Sequence, residues 1–453
     1  MIKPTIVFFL LLSSISFLQM NCKKEPPVVP PDPPIYVSTI GLTADEIGLS
    51  EVWLKIKTTD TLQPRTIQLT RNSLPLFMFT LAAQETTIVD TAALPQRNYS
   101  YRVLRIENNK AKDSSKALEI KTMDTTSHDF IWTLETIGYQ NSIIRDVAIV
   151  NDTLVYAVGK FYEKDTSTNT QTPFNVAQWN GKMWKLLRVM VEHQQIPPTP
   201  PHYYFPDEIY GIHVFAPDEI WFATSIEFIR WDGIGEKGKE YIYMRNTPVQ
   251  TLWGTSPNNI FGAGGGGVFV HYNGTSWTKL DSLTNTTMTD IYGTEDGKEV
   301  WVTGWDSNGK CAVLRYRNNV VQKLYEWNMH KPDDFLKEYI RSLWIYKQKV
   351  YLPSSSTFIY SYSLKTDKSS IEKFQIQYFP YSIRGSNENN IVIACEFGVM
   401  YHFNGSTWRL IDQLANQDQS PYGGVAVSKN LVVVGGARYY GIFKSGFVLM
   451  GKK

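Results

Sequence analysis

Apolar and polar residues alternate in short runs over residues 36–125, as in "SEVWLKIKTT", "RTIQLTRN", "TTIVDTA", "YSYRVLRIEN" and "ALEIKTMD". A period of two places successive side chains on opposite faces of a sheet, so each run predicts a half-buried strand. Turn residues separate the runs, and no 3.6-residue period develops. Seven or so strands in about ninety residues predict a β-sandwich.

Residues 126–453 carry a longer rhythm. An apolar pair, a short polar turn and a second apolar run recur in seven copies: "DVAIVNDTLVYAVG", "GIHVFAPDEIWFAT", "TLWGTSPNNIFGAG", "DIYGTEDGKEVWVTG", "SLWIYKQKVYLPS", "SIRGSNENNIVIAC" and "GVAVSKNLVVVGG". Each is followed by an aromatic residue before a turn: Trp179, Trp231, Tyr272, Tyr316, Tyr360 or Tyr362, Phe403 and Phe443. These lie about 40–45 residues apart, with one longer gap between the first two. Asn-Gly or Asp-Gly after the aromatic predicts a tight hairpin with both central residues at positive φ. Each unit thus reads as four strands. Such a unit cannot bury both faces alone, and units of this period stack around an axis as propeller blades. The 13 Trp, 26 Tyr and 22 Phe fill the wedges between them. "FIWTLETIG" near Phe130 reads as an outer strand placed to pair with the C-terminal "FVLMGKK" and close the ring.

Two family resemblances attach to these residues. Leu94-Pro95 followed by Tyr99-Ser100-Tyr101-Arg102-Val103 resembles the end of a fibronectin type III domain. That resemblance implies a corner tyrosine at Tyr99 and a core tryptophan at Trp53. The repeat resembles those of bacterial surface propellers built from "DIWxxG…HYDGxxW" units, over about 320 residues. Together they imply an all-β chain, with a fibronectin type III-like β-sandwich at 36–125 and a seven-bladed β-propeller at 126–453. They fix no function, because propellers host many.

One motif competes with this reading. Gly262-Ala263-Gly264-Gly265-Gly266-Gly267 matches the dinucleotide fingerprint G-x-G-x-x-G. That fingerprint needs a helix behind it to meet the pyrophosphate. Here Val268-Phe269-Val270-His271-Tyr272 follows, with strand alternation, and the run sits between the second and third strands of unit three. A hairpin turn whose glycines accept positive φ is the expectation, with no cofactor. His271 shares its repeat slot with Gln178, Arg230 and His402, which reads as a strand position rather than a metal ligand.

The N-terminus predicts export. A basic start and an apolar run from Ile6 to Leu18 read as a signal peptide over 1–21. Cys22 resembles the lipidated cysteine of bacterial lipoproteins, although Gln19, Met20 and Asn21 replace the usual small residues. Pro26, Pro27, Pro30, Pro31, Pro33 and Pro34 make 22–35 an extended linker. The expected location is the outer membrane or cell surface, anchored through an N-terminal lipid. Lys+Arg of 45 against Asp+Glu of 43 gives a net charge of +2, too little to draw nucleic acid. Cys311 and Cys395 sit in apolar runs and read as small buried hydrophobes.

Catalytic chemistry is thin. No zinc spacing and no nucleophile elbow occur, and "DTSTNT" at 165–170 lacks calcium-loop spacing. "NGTSW" and "NGSTW" resemble sialidase Asp-boxes with asparagine at the key position. Arg145, Arg341 and Arg384 fall near innermost strands, but the offset of Arg384 argues against convergence. Loop length says more. The long connections at 160–175, 190–208, 325–339 and 414–424 all belong to one propeller face. Long loops on a rigid scaffold suggest a binding surface. Tyr203, Tyr204, Phe205, Trp327 and Tyr422 are its candidate ligand-binding residues. The reading is a non-catalytic surface protein that binds a protein or glycan. The rivals are a glycan-acting hydrolase or transferase, with Asp333, Asp334 and Glu338 as acids, and a structural surface component.

Overall fold

A computed structural model describes residues 38–61, 64–193, 202–241, 247–306, 309–327, 336, 339–355, 358–412, 422–440 and 443–453. The signal peptide, Cys22 and the proline linker lie outside these residues, as do Asp333, Asp334 and Glu338.

The alternating runs form eight strands: β1 (Ile40–Ile47), β2 (Val52–Thr58), β3 (Arg65–Arg71), β4 (Leu74–Leu81), β5 (Glu85–Asp90), β6 (Asn98–Glu107), β7 (Lys110–Ser114) and β8 (Leu118–Lys121). One sheet has the order β1-β2-β5. The other has β4-β3-β6-β7, with β8 also pairing β6. Val52, Leu54 and Ile56 of β2 meet Ile67, Leu69, Tyr101 and Val103 of the facing sheet in one core. Tyr99 is buried there, and its hydroxyl accepts the Leu94 N–H at 2.9 Å.

Trp53 is a correction. It is buried, but not in this core. The period of two turns it away from Val52 and Leu54, and the Lys365 ammonium of the repeat region covers it at 4.5 Å from the ring centroid. The expected core tryptophan is therefore an interface residue.

The repeat folds into seven sheets among the described residues. The first takes its strands in chain order: Ile143–Asn151, Leu154–Lys164, Gln171–Trp179 and Trp184–Leu187. The innermost strands of the others are Gly211–Ala216, Val249–Ser256, Met288–Gly293, Trp344–Tyr346, Pro380–Asn387 and Tyr422–Val427. Each innermost strand contacts the next, and the last returns to the first, so the sheets form a closed ring, a β-propeller. Strand β9 (Ile131–Ile137) is the outer strand of the last sheet, with Leu134 opposite Leu449 and Thr136 opposite Phe447. Phe443 consequently begins a third strand instead of ending one. The last copy needs no turn after its aromatic, because its outer strand comes from the other end of the repeat.

The Asn-Gly turns also differ from expectation. Trp179 pairs with Trp184, Tyr272 with Trp277 and Phe403 with Trp408, so each loop holds four residues. Only the glycine has positive φ: 92° at Gly181, 90° at Gly274 and 97° at Gly405. The asparagine acts through its side chain. Asn273 Oδ1 accepts the N–H groups of Thr275 and Ser276 at 3.0 and 2.9 Å, and Asn404 does the same for Ser406 and Thr407. The glycine run makes the expected hairpin. Gly266 and Gly267 have φ of 64° and 75° between strands Asn259–Gly264 and Phe269–Tyr272.

The sandwich sits on the short-loop face of the ring. Asp45 pairs with Lys365 at 2.7 Å and Glu46 with Lys347 at 3.4 Å. The Leu49 N–H donates to Glu388, and Leu49 packs on Gly405, where a Cβ would come within 2.9 Å of it. Residues 123–130, the linker from the sandwich into the ring, are clipped to the sixth unit: Thr126 N–H donates to the Asn404 carbonyl and Asn404 Nδ2 to the Thr126 carbonyl. His128 and His402 share a hydrogen bond of 2.8 Å between their Nδ1 atoms.

Candidate functional site

On the opposite face the innermost strands begin around an axial mouth of about 210 Å³. Its lining includes Arg145, Asp146, Asp290, Arg341, Tyr381 and Arg384. The three arginines therefore do converge, contrary to the sequence expectation. The offset of Arg384 along its strand is made up by side-chain length.

Two of the arginines are committed to acids. Arg384 holds Asp290 with two bonds, Nη2 to Oδ1 at 2.7 Å and Nη1 to Oδ2 at 2.9 Å, and Nη1 also donates to the Leu343 and Ile383 carbonyls. Asp290 also accepts from Ser342 Oγ and the Leu343 N–H. The pairing with Asp290 raises the Arg384 pKa despite burial. Arg145 donates to Glu208 at 2.6 Å and covers the Tyr210 ring.

These acids staple the ring. Asp290 of unit four bonds the N–H of Leu343 in unit five. In the same repeat slot of unit one, Asp146 accepts the N–H of Ile212 in unit two at 3.1 Å. Ser342 accepts the N–H of Ile383 in unit six. Each bond ties one innermost strand to its neighbour. Burial pushes the Asp146 carboxyl up to about 6, opposed by the Ile212 N–H and Arg384.

Arg341 differs. Its guanidinium stacks on the rings of Tyr381 at 4.3 Å and Trp305 at 5.4 Å, and it has no acid partner among the described residues. Burial lowers its pKa, opposed by Tyr381. Trp305 meets Tyr339 at 5.9 Å, Tyr339 meets Trp327 at 4.6 Å, and Tyr381 meets Phe379 at 5.5 Å. A track of half-buried rings thus runs from the end of the strand Val320–Trp327 to the axis, interrupted by one arginine. The neighbouring turn at Glu396–Gly398 repeats the geometry of the glycine run with Phe397 at φ 57° and 47 % exposed.

Of the four aromatic candidates whose side chains are described, only Trp327 joins this track. Tyr203 and Tyr204 lie in the strand His202–Tyr204, which pairs with Met190–His193. That hairpin adds to the outer edge of the second sheet by parallel pairing with Lys237–Tyr241. The stretch read as a loop is partly strand, because Val191 is buried in the sheet's own core. Tyr204 bonds Glu227, the Tyr203 ring holds Lys237 at 4.7 Å, and Phe205 holds Arg188 at 4.7 Å. Tyr422 begins an innermost strand, and its side chain lies outside the described structure. Asp165 binds Ser167 and Thr168, which lowers its pKa to about 2. Cys311 and Cys395 are free and buried. No cluster of three metal-ligating side chains occurs among the described residues.

No family model and no curated protein matches the chain. Solved propellers match in shape. The WD40 β-propeller domain of Doa1 is 13% identical with a TM-score of 0.49, covering 72% of this chain and 98% of that one. A structure described as YCF48 bound to D1 peptide is 10% identical with a TM-score of 0.51, covering 73% of this chain and 100% of that one. At 10% identity the second likeness agrees with the closed ring of sheets and shows the fold, a β-propeller, and nothing finer.

Proposed function

We propose that the chain is a non-catalytic binding protein whose seven-bladed propeller presents its long-loop face to a protein partner. The observation that carries this reading is the division of the two faces. The sandwich, which we read as a fibronectin type III-like spacer, takes the short-loop face, while the long-loop face holds an arginine-lined mouth and a track of rings. A solved propeller of like shape is described with a bound peptide. The reading places the protein at the cell surface, exported and lipid-anchored through Cys22, with the proline linker and the sandwich holding the ring off the membrane. Tyr203, Tyr204, Phe205, Trp327 and Tyr422 remain proposed contact residues, with Trp327 the best placed.

The glycan-acting reading is weaker on one observation: two of the three converging arginines are already neutralised by Asp290 and Glu208, so no arginine triad is free. The test uses full-length protein on its native cells, with a photo-crosslinking residue placed at Phe397 on the long-loop face or at Met183 on the short-loop face. Discrete protein adducts from position 397 and none from 183 are expected. Adducts from 183 alone would overturn the face assignment. In parallel, sugar released from a polysaccharide panel would overturn the non-catalytic reading.

A further inference from the structure

Arg341 is hard to explain as part of the scaffold. A half-buried cation without an acid is costly, and proteins ordinarily pair such groups. Its two neighbours in the mouth show that pairing: Arg384 has Asp290 and Arg145 has Glu208. Tyr381 and Trp305 offer Arg341 only their ring faces, which attract the charge but accept none of its N–H donors in the carboxylate manner. A planar guanidinium fork at the end of an apolar track is complementary to an anion carried on an apolar body.

We infer that Arg341 at the axial mouth binds the carboxylate of a peptide segment, with an adjacent aromatic or large apolar side chain lying on the Trp327–Tyr339–Trp305 rings. This deepens the proposed function and rests on the long-loop face being the recognition face. Ring geometry favours a peptide over a sugar. Trp327 and Tyr339 meet at 80°, and Trp305 and Tyr339 at 87°, so the surface is corrugated and receives side chains edge-on. A sugar ring instead needs a flat exposed platform and free polar groups for its hydroxyls. The polar groups that line the mouth with Arg341, namely Asp290, Ser342 and Arg384, already bond one another. The mouth of about 210 Å³ admits one side chain or one chain end, not a folded surface. The carboxylate has two possible sources, a C-terminus or an Asp or Glu side chain.

Four probes test this on full-length protein by calorimetry: N-acetyl-phenylalanine, its neutral amide, acetyl-Phe-Glu-amide and glucuronate. Binding of one or both acidic peptides about tenfold or more tighter than the amide is expected, since a charge-assisted bond is removed in the amide. The tighter of the two acids identifies the source. Arg341→Gln should erase most of that ratio and Arg341→Lys should keep part of it, with melting temperature confirming that both fold. The acid–amide ratio in the unaltered protein is decisive even if a variant does not fold. Equal binding of acid and amide, an undiminished ratio in folded Arg341→Gln, tighter binding of glucuronate than of either peptide, or no binding at millimolar probe would each overturn the inference. Failure here with crosslinks still formed at position 397 removes the carboxylate site and leaves the face assignment standing. Loss of both removes the proposed function itself.

Discussion

The two sides of the axial mouth use the same side chain differently. On one side Arg384 is held by both oxygens of Asp290 and by two backbone carbonyls. On the other, Arg341 touches only aromatic faces among the described residues. Both come from innermost strands or the segments leading into them, and both line one cavity. The difference teaches how a repeat fold commits one arginine to its scaffold and leaves another outside it. Asp290 and Asp146 occupy the slot that staples neighbouring blades, so a cation near Asp290 becomes part of the scaffold. The segment leading into unit five has Ser342 in that slot, and the arginine before it is left available.

The largest expected effect breaks the supported side. Asp290→Ala leaves Arg384 partly buried without its acid and removes the acceptor for Ser342 and the Leu343 N–H. A loss of about 3–5 kcal/mol in urea unfolding is expected. Replacing both partners with apolar residues of similar volume should recover much of it, because the cost lies in the orphaned charge.

Acid comes next. Burial holds His402 down to about 3 and His213 to about 4. Both pKa values are below that of an unfolded histidine, so their stabilisation is complete above about pH 6.5 and is lost as pH falls toward the folded values. Asp146 runs the other way: its carboxyl is raised to about 6, and its contribution is present in acid and lost as pH rises through 6. The two histidines outweigh it, and stability should fall by a few kcal/mol, roughly, from pH 7 to pH 4. Asp146→Asn should steepen that fall by removing the opposing group. Thermal unfolding across this pH range checks both.

Smallest is the sandwich interface. The Asp45–Lys365 and Glu46–Lys347 pairs are partly exposed. Removing both lysines should cost about 1 kcal/mol or less. Hydrogen exchange over residues 123–130 should nevertheless quicken, since those pairs help hold the clipped linker. Unchanged exchange would show that the linker bonds and the His128–His402 pair suffice by themselves.

Much of the ring was legible because hydrophobic periodicity and turn spacing are local. Seven copies of one pattern and the glycine hairpin follow from residues within a few positions of one another; the β9 closure joins the two ends of the repeat, but each end carries its own local strand pattern. The site was less legible because its pairings are long-range. Asp290 reads as the start of a strand in "DIYG", and nothing nearby in the sequence announces Arg384 as its partner, 94 positions on. Trp53 shows the same limit. Alternation reveals that it faces away from Leu54, but the family resemblance outweighed that signal. The asparagine of the repeat turns carried a usable signal too: a tryptophan four residues after the asparagine in "NGKMW" and "NGSTW" leaves room for a four-residue loop capped by the Asn side chain.

The most direct measurement compares Arg384→Gln with Arg341→Gln in equilibrium urea unfolding. The account predicts a loss of about 3 kcal/mol or more for the first, which orphans Asp290. For the second it predicts a change within about 1 kcal/mol of zero, since only ring contacts are lost. Equal large losses would contradict the account, because both arginines would then belong to the scaffold and the mouth would have no side reserved for a ligand.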